Sequence, residues 1–352
     1  MRILCIRLDN FGDVLMTTPA FRALKTRWPG AHLTLLTSSV GAAIARYVPE
    51  VDAIMPFDVP WVGQPGEPDR SAVLALTDQL AGGQFDLAVI FTVQSQNPLP
   101  TALLCYLAGL PRVLGYCREN PYHLLTDWVP DPEVLVATRH EVERQLDLVA
   151  HLGCRTTDTR LSLRVPDDAR FGAMRRLGEV IDTTRPWLLL HPGVSEEKRR
   201  YPADFFAEAA RRLVREDGFQ IVLTGSASER DYAESLRRLI GASAYNLAGE
   251  LDLGELAGLI AEAPVLIANN TGPVHMAAAV GTPVVVLYAK TNPQHTPWQT
   301  PSRVLYFDVP ANLRSRNVLL QHFPEPARPA ASPDAIVQAV TELVTVHQPP
   351  VE

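Results

Sequence analysis

The strongest constraint on this chain is a rhythm. Short apolar runs alternate with longer stretches of helical spacing, and the alternation passes through the sequence twice. In the first half, residues 3–8, 32–36, 86–91 and 112–116 read as strands. Residues 19–28, 71–80 and 101–108 read as helices, the last stopped by Gly109. In the second half the strands are 187–191, 220–224, 265–268, 283–288 and 304–307. The helices are 203–215, 229–240, 253–261 and 274–280. Strand alternating with helix implies parallel sheets covered on both faces. Continuous runs such as Val284-Val285-Val286-Leu287 suit strands with no wet face.

Two such sets imply an α/β chain of two Rossmann-like domains, over 1–165 and 166–352. A length of 352 residues allows two buried cores. The break is expected within 166–186, where Pro, Asp and Thr interrupt the apolar rhythm. Residues 324–333, rich in Pro and Ala, read as a linker to an amphipathic helix over 333–346, which is free to pack back on the N-terminal domain. Ligands of open parallel sheets bind beyond the carboxyl ends of the strands, so the expected site is a cleft between the domains.

Five segments carry candidate chemistry. Leu8-Asp9-Asn10-Phe11-Gly12-Asp13-Val14-Leu15 follows the first strand. Gly12 permits close approach of a ligand. Asp13 reads either as a helix cap or as a general base for a hydroxyl nucleophile. His191-Pro192-Gly193 opens a loop that ends in Lys198-Arg199-Arg200-Tyr201-Pro202. Its three cations suit a diphosphate, or form a solvated run partly neutralised by Glu196 and Glu197. Asn269-Asn270-Thr271-Gly272-Pro273-Val274-His275 is a strand–turn–helix, with Pro273 expected at the first helical position. Free N–H groups of Thr271, Gly272 and Val274, with the helix dipole, would make an anion site, and His275 would donate to a phosphate oxygen. In Thr224-Gly225-Ser226-Ala227-Ser228-Glu229, the Glu229 carboxylate suits ribose hydroxyls or the start of a helix. Residues 291–298, with His295 and Trp298, form a polar and aromatic loop suited to base or sugar, or one packed on its own prolines.

Charge narrows the partners. A net charge of −7 argues against nucleic acid. The four cysteines, Cys5, Cys105, Cys117 and Cys154, lack metal-ligand or disulfide spacing and read as reduced core thiols. No run reaches the ~18 apolar residues of a membrane span, and the N-terminal apolar run is too short for a signal peptide. The expected location is cytoplasmic, with peripheral contact at the inner face of the membrane left open.

Three segments together resemble glycosyltransferase family 9, the ADP-heptose:lipopolysaccharide heptosyltransferases. They are Arg2-Ile3-Leu4 through Gly12-Asp13-Val14-Leu15 to Thr18-Pro19-Ala20; the His191-Pro192-Gly193 loop with its later basic–aromatic–Pro; and 269–278 followed by Gly281-Thr282-Pro283-Val284-Val285. The resemblance spans nearly the whole chain. It implies a GT-B fold of two facing Rossmann-like domains, the N-terminal one for the acceptor and the C-terminal one for the nucleotide-sugar. It also implies inverting transfer from a nucleoside-diphosphate sugar, with ADP the expected nucleotide, and no metal or other cofactor. Asp13 would be the general base. Gly12, Lys198 or Arg199, Thr271, Gly272 and His275 would meet the donor and its phosphates. Glu229, Leu251 and Asn270 would lie about the nucleoside. The chain departs from the family at Asn270, where Asp is common, and over 308–323, which lacks a cysteine-containing pattern and carries Arg314 and Arg316 instead. The acceptor is a glycan, lipid or small molecule, with Asn10, Gln94 and Arg118 as candidate contacts beside Arg7 and His140.

Two other classes fit parts of this pattern. One is a sugar-nucleotide epimerase or hydrolase of the same fold. The other is a nucleotide-sugar-binding protein without catalysis, which Asn270 keeps open and Asp13 opposes. The absence of a GxGxxG fingerprint disfavours a nicotinamide dehydrogenase.

Overall fold

Each half of the sequence builds one six-stranded parallel sheet. The structure, a computed structural model, describes residues 1–62, 69–131, 139–289, 293–308 and 330–347. The chain divides into two units, Met1–Arg164 and Val165–Glu352.

The first unit runs β1 (Arg2–Arg7), α1 (Phe11–Arg27), β2 (His32–Thr37), α2 (Ser39–Ala45), β3 (Ala53–Pro56), α3 (Arg70–Gly82), β4 (Leu87–Ile90), α4 (Leu99–Leu107), β5 (Val113–Cys117), β6 (Asp127–Pro130) and α5 (Glu141–Ala150). Its strand order is β3-β2-β1-β4-β5-β6, so the direction of winding reverses between β1 and β4. There the loops leaving the two strands part and open a crevice. One face of the sheet is sealed by Leu4, Ile6, Ala88, Ile90, Leu76, Leu80, Ala102 and Cys105. All four cysteines are buried and unbridged.

Helix α1 starts two turns earlier than its periodicity indicates, at Phe11 rather than residue 19. Pro19 therefore lies inside the helix, where it cannot donate to the Leu15 carbonyl. The Thr18 hydroxyl donates to that carbonyl instead, at 2.7 Å, so the helix runs on through the proline.

The second unit contains α6 (Asp167–Val180), β7 (Trp187–His191), α7 (Ala203–Asp217), β8 (Gln220–Leu223), α8 (Arg230–Ile240), β9 (Ala244–Asn246), α9 (Leu253–Glu262), β10 (Leu266–Asn269), α10 (Gly272–Val280), β11 (Val284–Ala289), β12 (Ser302–Phe307) and a terminal helix α11 (Pro333–His347). Read as β9-β8-β7-β10-β11-β12, the sheet repeats the order of the first, with its switch point between β7 and β10. The stretch expected as the break forms α6 instead. Pro166 stands at the N-cap, and Asp167 and Asp168 occupy the first turn, where the dipole favours anions. Ala173 and Leu177 are buried, and α6 packs on α9. Helix α11 packs within its own unit, adding Ile336, Val340 and Leu343 to the core. Of the expected linker, 324–329 lies outside the described residues, as do residues 309–323 with Arg314 and Arg316.

Candidate active site

The loop after β1 is organised around one arginine. Arg7, at the end of the strand, is fully buried. Its Nε lies 3.0 Å from Asp9 Oδ2, Nη2 3.1 Å from Asp13 Oδ1 and Nη1 2.9 Å from Glu141 Oε1. One buried cation thus faces three carboxylates. Burial lifts the Asp9 carboxyl to about 6, the pull of Arg7 opposing the rise and the nearby Asp13 charge adding to it. Gln96, in the loop after β4, donates to the other Asp9 oxygen. Glu141 also accepts from Gln145 at 2.6 Å.

Asp13 is not a helix cap. Asn10 holds that position with an extended backbone (φ −77°, ψ 168°), and Asp13 is the third residue of α1. Its carboxylate is 13% exposed and pinned at Oδ1. An oriented, partly exposed carboxylate at a switch point has the placement a base requires. Gly12 is buried beside it, and Asn10 is exposed.

The remaining acceptor candidates separate. Gln94 is buried, and Arg118 donates to its carbonyl at 2.7 Å, so these two meet. Arg7 is sealed from any acceptor. His140 caps α5, its Nδ1 accepting from Val142 N–H.

At the second switch point the loops are tied together through the backbone. Asn269, fully buried at the end of β10, donates from Nδ2 to the Pro192 carbonyl (2.8 Å) and accepts at Oδ1 from Tyr201 N–H (3.1 Å). It therefore holds both ends of the 192–201 loop. Glu229 accepts from Val194 N–H (3.0 Å), Ser226 N–H (2.7 Å) and the Ser226 hydroxyl (2.8 Å). It joins two βα loops, which is the capping alternative for this residue, extended across to a second loop. Leu251 is half-buried in the turn before α9. That turn meets the Gly225 loop, where Gly249 N–H donates to the Gly225 carbonyl at 2.9 Å.

His191 ends β7 with Nδ1 3.0 Å from the Thr224 hydroxyl. Burial pulls its pKa down to about 4, against the opposing charge of Glu229, so the ring is neutral at pH 7.

Helix α10 begins at Gly272, so Pro273 is its second residue, not its first. Val274 N–H, expected to be free, donates to the Thr271 carbonyl at 3.1 Å. The N–H groups of Thr271 and Gly272 are among those that a helix start leaves without an intrahelical acceptor, and both remain for an anion. The Thr271 hydroxyl donates to the Asn269 carbonyl at 3.2 Å. His275 is buried in the first turn, edge-on to His295 with ring centres 6.5 Å apart. Asn270 is 3% exposed and donates from its backbone to the Leu287 carbonyl.

The basic run forms a short 3-10 turn packed on β11. Lys198 Nζ (2.6 Å) and Arg199 Nη2 (2.7 Å) share Glu196, while Arg200 pairs with Glu197 and stacks on Tyr232. The two are not equivalent, because the Arg199 charge also acts on Tyr288 beside Asn270. Of the 291–298 loop, 291 and 292 lie outside the described residues; Pro293–His295 forms a 3-10 turn, and Trp298 is half-buried.

Residues 73–324 match the family model described as glycosyltransferase family 9 (heptosyltransferase). The chain belongs to this family. It is 28% identical to lipopolysaccharide heptosyltransferase 2 of Escherichia coli (strain K12) over 310 residues, covering 84% of this chain and 85% of that protein. Two solved structures show the same fold. One is E. coli ADP-heptose lps heptosyltransferase II (TM-score 0.75, 24% identity, 98% of this chain and 99% of that one). The other is E. coli heptosyltransferase WaaC with ADP-2-deoxy-2-fluoro heptose (TM-score 0.69, 20% identity, 97% and 99%). The fold is of the GT-B class and the protein is a glycosyltransferase, which sets aside the epimerase, hydrolase and non-catalytic readings.

Sequence reasoning on this glycosyltransferase overlooked Asp9, Gln96 and Glu141 and took Arg7, which is fully buried, as a candidate acceptor contact. Glu141 lies far along the chain with no motif around it, so nothing in a single sequence ties it to Arg7. Asn269 sat in a recognised segment without a role. No helix among the described residues is long and apolar enough to cross a membrane.

Proposed function

We propose that this glycosyltransferase moves a heptose or related sugar from a nucleoside-diphosphate donor, with ADP the expected nucleotide, to an acceptor hydroxyl. The transfer inverts the anomeric centre and requires no metal ion. The observation that carries this reading is the Asp13 carboxylate, oriented by Arg7 and partly open to solvent at the first switch point. Asp13 takes the acceptor's hydroxyl proton as the oxygen bonds to the anomeric carbon. The bond from that carbon to the diphosphate oxygen breaks, and its electron pair leaves with the diphosphate. The second unit carries the groups suited to that charge: the start of α10 with Thr271, Gly272 and His275, and Lys198 or Arg199 released from Glu196. Exposed ion pairs contribute at most about 1 kcal/mol, so a diphosphate can take Glu196's place. Glu229 and Leu251 lie on adjoining loops suited to the ribose and base. Relatives named for ADP-heptose and lipopolysaccharide support the donor and point to a lipid-linked glycan as acceptor. Such an acceptor would bring the enzyme to a membrane surface in the cytoplasm.

The test is release of nucleoside diphosphate from ADP-, GDP- and UDP-sugars, with and without acceptor, in chelator. Release of ADP that depends on acceptor and persists in chelator is expected. Release without acceptor, or loss of transfer in chelator that a divalent ion restores, overturns the corresponding part of the reading. Asp13→Ala is expected to lower kcat by roughly 10²–10⁴-fold while leaving donor binding in place.

A further inference from the structure

Asp13's role leaves unexplained why its partner, Arg7, is shared. Arg7 is fully buried and cannot touch a substrate, yet each side of its guanidinium faces a different carboxylate: Asp9 from the loop after β1, Asp13 from α1 and Glu141 from α5. Glu141 is also held by Gln145, which fixes that corner. We infer that Asp9 is a positioning residue that competes with Asp13 for Arg7 and so sets how freely Asp13 accepts the acceptor's proton. This inference rests on the proposed role of Asp13 as the base.

The argument is electrostatic. Three carboxylates share one guanidinium, and like charges held close in a buried site favour a proton on the least favourable of them. The groups facing Asp9 are Arg7, Asp13, Glu141 and Gln96, with the Ser38 hydroxyl on its backbone carbonyl. Burial among them raises the Asp9 carboxyl to about 6. Below that pH Asp9 is neutral, and Arg7 belongs to Asp13 and Glu141; the ion pair occupies the base and transfer slows. Above it Asp9 is ionised and draws on Arg7 through Nε. Asp13 is then held less tightly, and its carboxylate is available to the hydroxyl. Gln96 donates to Asp9 and favours the ionised form.

The experiment is the pH dependence of kcat between pH 5 and 8 at saturating donor for the wild type, Asp9→Asn, Gln96→Ala and Asp13→Ala, each first checked for cooperative thermal unfolding. The wild type is expected to gain activity through a limb near pH 6. Asp9→Asn should lose that limb and run roughly three- to tenfold slower at pH 7.5, with donor KM unchanged. Gln96→Ala should move the limb to higher pH. A merely structural part for Asp9 would lower activity without moving the limb. An Asp9→Asn enzyme that keeps the wild-type limb, beside an inactive Asp13→Ala, overturns the inference and leaves the base role standing. An Asp13→Ala enzyme with wild-type turnover removes both. If Asp9→Asn does not fold, an unmoved limb in Gln96→Ala overturns the inference.

Discussion

At the switch point of the first sheet the polar contacts are made between side chains, and at that of the second they are made largely to the backbone. After β1, a buried guanidinium meets three carboxylates. After β7 and β10, Asn269 and Glu229 bind main-chain groups of Pro192, Tyr201, Val194 and Ser226. The two units share a strand order, so topology does not explain the difference. Chemistry does. A base must be ionisable and finely tuned by charge, whereas a cradle for a diphosphate must offer fixed donors at fixed positions. The first arrangement is sensitive to protonation, and the second to backbone geometry.

The largest test of this contrast is Arg7→Ala. It removes the cation shared by three carboxylates and should destabilise the first unit by about 3–5 kcal/mol, read by chemical denaturation. A loss under about 1 kcal/mol would mean that Arg7 is not what holds these carboxylates.

Next comes acid. The folded pKa of His191 is below its unfolded value, so its contribution to stability is present above about 6.5 and is lost as pH falls through about 4. At about 1.4 kcal/mol per unit, the loss is on the order of 3 kcal/mol. Asp9 runs the other way. Its folded pKa is raised, so its contribution is full below about 4 and is lost as pH rises through about 6. Thermal unfolding between pH 4 and 7 should show the second unit weakening on acidification, and His191→Asn should flatten that response. An unchanged response would show that another group controls the acid sensitivity of this unit.

The smallest effect separates two neighbours. Arg199 acts on Tyr288 beside Asn270, while Lys198 pairs with Glu196. Arg199→Ala should therefore raise donor KM by about tenfold or more, and Lys198→Ala by less. The reverse order would assign the diphosphate to Lys198 rather than Arg199.

The sequence carried the sheets well and the connections poorly. Strands such as β7 and β11 are continuous apolar runs buried on both faces, and no other local structure suits them. The edge strands β3 and β9 are only four and three residues long, too short for a periodic signal. Helix α6 was missed because its proline and aspartates read as a break, although at a helix start they are capping chemistry. Within the site, Asp13 and the α10 turn were legible as local motifs. The network around Arg7 was not, because it joins β1, α1, the loop after β4 and α5, which only the folded sheet brings together.

Gly193 carries one more consequence. A methyl group on it would lie 2.2 Å from the Glu229 carboxylate, so the acid occupies the space a side chain would need. The two positions are sterically coupled. A side chain at residue 193 would have to displace the Glu229 carboxylate, and with it the hydrogen bonds that tie Val194 to Ser226. The Glu229 carboxylate thus fills the space beside Gly193 and links two loops of the second unit at once.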